Sequence, residues 1–277
     1  MKQSFAVVTG ASSGIGRALA IELAAKKINL ILVALPDTGL SNTALQISNE
    51  YNVEVKFCEL DLTKEGAASY FYDWCKKSNA RINMLINNAG LGTQCAFENT
   101  SVLELETMLK LNNQALVMLA YYFLPELKLN SPSHILNVGS LASFMSIPGK
   151  AVYSASKSFI CSFSFSLRIE LRSARINVSC LCPGATITNE RVINNIRMTG
   201  VAGKSMTQNP EDVAYEAVRQ MLRGKKLIIP GWRNKFLYKL WAFLPQPAVD
   251  RILTGLFLKK EQKGMIKFKT TAITQIA

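Results

Sequence analysis

The chain has 277 residues, 49% of them hydrophobic, and a net charge of +13. This length and apolar fraction suit one sizeable α/β core better than two, and no Pro/Gly/Ser-rich linker, internal repeat or low-complexity tract divides it. A lone histidine, His134, argues against a histidine metal centre, and the six cysteines at 58, 75, 95, 161, 180 and 182 show neither metal-ligand nor redox spacing, so no metal is expected.

Apolar, β-branched runs near 4–9, 29–34, 53–58, 82–87, 133–139, 176–182 and 227–230 alternate with helical patterns near 15–27, 40–50, 63–78, 101–129, 151–173 and 210–223. This alternation predicts an α/β fold: a doubly wound, mostly parallel seven-stranded sheet with helices on both faces and a ligand crevice at the carboxyl ends of the strands. At the end of the first strand stands Thr9-Gly-Ala-Ser-Ser-Gly-Ile-Gly16. Gly10 allows a tight turn there, Gly14 lets the backbone come close to a pyrophosphate, and Gly16 lets the helix pack closely on the strand. Ser12, Ser13 and Ile15 complete the turn, and unpaired N–H groups at the helix start face the anion.

The second strand tip, Val33-Ala34-Leu35-Pro36, holds no acid. Asp61-Leu62 follows the third strand, Asn87-Asn-Ala-Gly90 the fourth, Ser140 the fifth and Pro183-Gly184 the sixth. Tyr153 and Lys157 are four apart on the helix that follows Ser140, so they share one face. A second Tyr-x-x-x-Lys, Tyr72 to Lys76, reads as a surface pair on an amphipathic helix. His134, at a strand start after a Pro-containing turn, reads as an ordinary surface residue, and the cysteines as reduced core thiols. The polar stretch 187–208, with Gly200 and Gly203, is expected to be a mobile loop closing over the site.

Together these motifs, from about Phe5 to about Pro230 and including Asn209-Pro-Glu-Asp-Val-Ala214 before a late helix, resemble the short-chain dehydrogenase/reductase family. The resemblance implies a Rossmann fold and hydride transfer between a nicotinamide and a carbonyl carbon. Tyr153 would protonate the ketone oxygen in reduction or take the alcohol proton in oxidation. A free phenol titrates near pH 10, so a nearby cation must stabilise the phenolate, and Lys157 would supply it and bind the nicotinamide ribose. Ser140 would hydrogen-bond the substrate oxygen, and Asn112 would hold a water linking Lys157 to solvent.

On the cofactor, the resemblance places Asp61 and Leu62 at the adenine, Asn88, Ala89 and Gly90 along the adenosine ribose, and Pro183, Gly184, Thr186 and Thr188 around the nicotinamide amide. With no acid at Ala34 to bind a ribose 2′-hydroxyl, NADP(H) is favoured and NAD(H) is the alternative, with Arg17 or the 36–42 loop left to help bind a 2′-phosphate. The pocket candidates Leu91, Phe97, Leu141, Phe144, Met145, Ile147 and Val192 are largely apolar, which points to a small hydrophobic carbonyl or alcohol substrate of keto-lipid or 3-ketoacyl type. A hydroxysteroid is the alternative substrate. A non-catalytic, cofactor-binding regulatory protein is the alternative class, against which the intact tetrad argues. The helices near 101–129 and 151–173 resemble the family's oligomer surface and imply a homodimer or homotetramer.

Residues 1–233 are read as the catalytic domain and 234–277 as a C-terminal extension. From Arg219 onward, thirteen Lys and Arg stand against two acids, interleaved with Leu237, Leu240, Trp241, Phe243, Leu244, Ile252, Leu253, Leu256, Phe257 and Leu258. This mix suits a surface for anionic lipid, a lid over the pocket, or packed helices with a solvated basic face. No nucleic-acid motif accompanies the charge, so no nucleic-acid partner is expected. Pro245, Pro247, Asp250 and Arg251 interrupt the run, which argues against a membrane-spanning helix. The N-terminus runs directly into the first strand with no leader pattern, so the expected location is cytoplasmic, with contact at the cytosolic membrane face as an option.

Overall fold

The computed structural model describes residues 4–92, 95–187, 207–245, 247–249 and 251–255. Seven strands, β1 (Ser4–Thr9), β2 (Asn29–Ala34), β3 (Val55–Glu59), β4 (Arg81–Asn87), β5 (Ser133–Val138), β6 (Ile176–Leu181) and β7 (Leu227–Ile228), form one parallel sheet in the order β3-β2-β1-β4-β5-β6-β7. β7 ends earlier than its apolar run because Pro230 offers no N–H to a ladder and Gly231 turns away at φ +77.

Side chains alternate across a strand, so a sheet covered on both faces needs strands that are apolar throughout. β2 meets that condition and is buried along its length. Its Leu30, Leu32 and Ala34 join Ala6 and Val8 of β1 in one core, while Ile31 and Val33 join Phe5 and Val7 in the other. The first core is closed by α1 (Gly14–Ala25), α2 (Leu40–Tyr51) and α7 (Pro210–Leu222), the second by α3 (Ala67–Lys77) and α5 (Leu116–Leu129). α6 (Ala151–Glu170) packs against β6 and encloses a third, smaller cluster that includes Ile160, Cys161, Cys180 and Cys182. β1 has β2 on one side and β4 on the other, so the strand order reverses there and the loops after β1 and β4 open a crevice between them.

The helical pattern near 101–129 is interrupted. α4 (Val102–Leu109), started by a capping box between Ser101 and Glu104, passes into a π-turn at Lys110–Ala115 before α5 begins. Such a bulge carries an extra residue per turn and recurs at functional sites; here it holds Asn112 and Asn113.

One sequence expectation is corrected. His134 is half-buried on β5 with Nδ1 unpartnered, and burial lowers its pKa, so it is not an ordinary surface residue. The boundary drawn at 233/234 falls inside α8 (Trp232–Phe243), whose Asn234 is buried and donates to Gln208 Oε1 at 2.8 Å and the Pro230 carbonyl at 3.1 Å. Residues 247–249 and 251–255 are helical, and no helix among the described residues is long and apolar enough to cross a membrane.

Candidate active site

The glycine turn is built as its spacing requires. Gly10 and Gly14 have φ of +64 and +53, a region costly for residues with a Cβ. Gly16 has no room for one: a Cβ would stand 2.0 Å from the Gly10 carbonyl oxygen. Gly10 N donates to the Val33 carbonyl at 2.7 Å, which pins the turn beside the tip of β2. Ser13, at the start of α1, makes no side-chain cap bond, so the first-turn N–H groups stay open beside the crevice at the positive end of the helix dipole. This cradle fits a dinucleotide pyrophosphate, with Ser12, Ser13, Gly14, Ile15 and Gly16 along its wall.

Thr9 ties the two loops together. Its Oγ1 accepts from Asn88 N at 2.9 Å and Ala89 N at 2.8 Å, while Asn88 Nδ2 donates back to the Thr9 carbonyl at 2.9 Å and the Gly10 carbonyl at 3.2 Å. Further along, Asn112 Oδ1 accepts from Leu91 N at 2.8 Å and its Nδ2 donates to the Leu91 carbonyl at 2.9 Å and Ser156 Oγ at 3.0 Å. Asn113 donates to the Ser156 carbonyl at 2.9 Å, so both asparagines of the π-turn face α6. A Cβ placed on Gly90 would lie 3.2 Å from both Asn112 Oδ1 and Lys157 Nζ, and one on Gly92 would lie 3.0 Å from the Tyr153 ring. The loop after β4 therefore brings Asn112, Tyr153 and Lys157 together, and only glycine lets it approach so closely.

Ser140 stands two residues past β5 and caps a short 3₁₀ turn, Leu141–Phe144, through Ala142 N to Ser140 Oγ at 3.1 Å. That turn is fastened to α6, because Ser143 Oγ donates to the Lys157 carbonyl at 2.8 Å and Ser158 Oγ to the Ser143 carbonyl at 2.7 Å. Lys157 is buried and its ammonium donates to the Val138 carbonyl at 2.9 Å, with Nζ 5.8 Å from the Tyr153 ring centre. Burial pushes its pKa down to about 8.

The Tyr153 phenol departs from the expected depression: burial pushes it up, against a side-chain hydrogen bond with Ser140 that works the other way. Desolvation of the buried phenol outweighs that bond, and the Lys157 ammonium, which donates to the Val138 carbonyl, stands 5.8 Å from the ring centre.

Among the remaining positions, Ala34 is buried at the tip of β2 beside the turn. Asp61 Oδ1 accepts from Thr63 N at 2.9 Å and Thr63 Oγ1 at 2.7 Å, and Leu62 is core. Gly184 faces Asn234, whose Nδ2 would stand 2.7 Å from a Cβ there. Thr186 pairs with Gln208, with Gln208 N donating to the Ala185 carbonyl at 2.9 Å and Ile187 N to the Gln208 carbonyl at 3.1 Å. Thr188, Val192 and most of the expected closing loop lie outside the described residues. Of the pocket candidates, Leu141 is core instead of wall, and Phe144 packs on Tyr238 of α8 with ring centres 4.7 Å apart. Ser143, Ser156 and Asn234 were not read as site residues. Ser156 lay inside the Tyr153–Lys157 segment and could have been weighed; the other two carry no local signal.

Residues 4–195 match the family model for short chain dehydrogenase. The chain is 30% identical over 276 residues to a putative oxidoreductase, SadH, of Mycobacterium tuberculosis, covering 95% of each protein. It is 34% identical over 184 residues to the very-long-chain 3-oxoacyl-CoA reductase of Kluyveromyces lactis, a match covering 64% of this chain and 53% of that protein. Among solved structures, a short-chain dehydrogenase from Sphingobium yanoikuyae in complex with NADPH superposes with a TM-score of 0.75 at 25% identity, over 99% of this chain and 98% of that one. A family match over most of the sheet, with the glycine cradle and the Ser140–Tyr153–Lys157 cluster at the strand ends, makes the chain a member of the short-chain dehydrogenase family and an NAD(P)-dependent oxidoreductase of the alcohol–carbonyl couple.

Proposed function

We propose that the protein is an NADP(H)-dependent ketoreductase for hydrophobic, lipid-like substrates of keto-lipid or 3-ketoacyl type, with hydroxysteroids as the alternative. The observation that carries the reading is the geometry of the cluster: the Tyr153 phenol hydrogen-bonds Ser140, and the buried Lys157 ammonium, one helical turn on, stands 5.8 Å from the Tyr153 ring centre. A protonated phenol is the form needed to give a proton to a ketone oxygen. In this reading Ser140 Oγ orients that oxygen, Tyr153 donates to it, and Lys157 holds the local charge and the ribose. Asn112 keeps the loop at Leu91 and the π-turn in register with Ser156, the residue before Lys157. The bound nicotinamide supplies the hydride. The apolar candidates Leu91 and Phe97 at the exposed rim, and the likeness to a 3-oxoacyl-CoA reductase, support an apolar substrate. In a panel of carbonyl compounds, long-chain 3-ketoacyl esters are expected to show the highest kcat/KM; a preference for steroid ketones favours the alternative, and cofactor binding with no turnover of any ketone overturns both.

The choice of NADP(H) rests on the absent acid at Ala34. The Arg17 guanidinium, held toward α2 by Gln46 Oε1 at 2.8 Å, is the cation on that side of the turn. NADPH is expected to give the higher kcat/KM, and Ala34→Asp to swing preference toward NADH, because a carboxylate there accepts the ribose hydroxyl and repels a phosphate. A wild-type preference for NADH removes the assignment.

Peripheral membrane contact is part of the proposal. On α8, Trp232, Phe236, Leu240 and Phe243 are exposed at spacings of four, four and three, forming one apolar stripe beside Arg233, Lys235 and Lys239. Lys235 is paired with Glu216. Anionic vesicles are expected to bind the protein, salt to weaken the binding, and Phe236→Ser with Phe243→Ser to abolish it. Equal sedimentation with neutral and anionic vesicles, or none with either, refutes the contact. Oligomerisation as a homodimer or homotetramer is proposed from family likeness and is read by light scattering.

A further inference from the structure

Cys180 and Cys182 lie two residues apart at the end of β6, so the pleat sends both side chains to one face, where they meet Cys161 of α6. The sulfurs form a triangle: Cys161 to Cys180 3.3 Å, Cys161 to Cys182 3.4 Å, and Cys180 to Cys182 3.7 Å. All three are buried free thiols. Carbon atoms in good packing stand about 3.5–4.0 Å apart, so two of these pairs of larger sulfur atoms are closer than packing alone brings them. The space beside them is kept clear by Gly139, where a Cβ would lie 3.1 Å from Cys182 Sγ, 3.3 Å from Cys180 Sγ and 3.3 Å from Ser143 Oγ.

We propose that Cys161, Cys180 and Cys182 form a three-thiolate binding site for a soft cation of the Cu(I) type. Thiolate sulfur selects soft ions, whereas structural zinc takes four protein ligands. Among the described residues, no fourth Cys, His, Asp or Glu joins the cluster. The centre of the triangle is about 2 Å from each sulfur, against a metal–thiolate bond of about 2.3 Å, so the ion fits if it sits about 1.1 Å out of the sulfur plane or the sulfurs part by about half an ångström. Binding forms three metal–sulfur bonds and releases the thiol protons to solvent, with no change of oxidation state. A monovalent ion among three thiolates leaves a net negative charge, and Lys157, buried one helical turn before Cys161, is the cation beside it.

The test is an anaerobic titration of the full chain with Cu(I) against a chromogenic Cu(I) chelator, in wild type and in the Cys58→Ser, Cys95→Ser double variant, which removes the more accessible thiols. One ion per chain is expected to be retained in both, and X-ray absorption of the loaded protein is expected to count three sulfur neighbours at about 2.3 Å. Loss of an outer-shell partner typically costs 10–100-fold in metal affinity, so loss of a ligand in Cys161→Ser or Cys182→Ser should cost at least about a hundredfold. Thermal melts and cofactor binding show whether each variant has folded. Failure of folded wild type to compete with the chelator, a shell of fewer than three sulfurs, or undiminished retention in folded Cys161→Ser overturns the site.

Discussion

Tyr153→Phe is expected to lower kcat for ketone reduction by about 10²–10⁴-fold, the usual worth of a positioned general acid, and to leave NADPH affinity near wild type. The substitution removes one oxygen and keeps the ring against Gly92, so the loop after β4 has no reason to move. The lost group is the phenol that hydrogen-bonds Ser140. Lys157→Ala should lose both turnover and cofactor affinity. The pH profile carries the same logic: burial holds the Lys157 ammonium down to about 8, so wild-type activity should fall as pH rises through that value, while the charge is fully present below it. Steady-state kinetics with a soluble ketone and fluorescence titration of NADPH check these outcomes. A Tyr153→Phe enzyme that keeps more than about a tenth of wild-type kcat takes the proton-donor role away from Tyr153.

Gly16→Ala is expected to abolish cofactor binding or to unfold the turn that makes it. The added carbon would lie 2.0 Å from the Gly10 carbonyl oxygen and 2.4 Å from Asn88 Nδ2. Neither neighbour can yield easily, because Gly10 N is bonded to Val33 and Asn88 Nδ2 to the Thr9 and Gly10 carbonyls. Relief must come from α1 lifting off β1 or from the turn opening, and either disperses the N–H groups that face the crevice. We expect at least a hundredfold rise in Kd for NADPH, about 2.8 kcal/mol, with overpacking adding about 1–3 kcal/mol of destabilisation. Calorimetric titration and a thermal melt read the two effects separately. Wild-type affinity in Gly16→Ala excludes this turn as the pyrophosphate site.

Much of the fold was legible because its signals are local. Unbroken apolar runs such as Leu30–Ala34 declare a strand buried on both faces, and the glycines of the first turn declare positive φ and close approach within eight residues. The four-residue spacing of Tyr153 and Lys157 guarantees a shared helical face whatever the helix packs against. Strand and helix limits accordingly fall within a few residues of the patterns, and α6 ends at Glu170, three residues short, where the helical bonding gives way to turns.

What the sequence by itself determined, then, is the alternation of strands and helices, the parallel sheet, the glycine cradle and the identity of the Ser140, Tyr153 and Lys157 cluster. Tertiary structure alone decided the rest. Thr9 clamps Asn88 and Ala89 from about eighty residues away, the π-turn aims Asn112 at Leu91 and Ser156, and Asn234 is a buried residue of α8 tied to Gln208 and the Pro230 carbonyl. The spacing of Cys161, Cys180 and Cys182 carries no signal, yet helix and strand bring their sulfurs within 3.7 Å. The reason is common to all four: periodicity and backbone preference act over a few residues, whereas contacts between distant segments depend on strand order and helix register. The raised pKa of Tyr153 and the lowered pKa of His134 depend in turn on desolvation, which exists only once those segments have met.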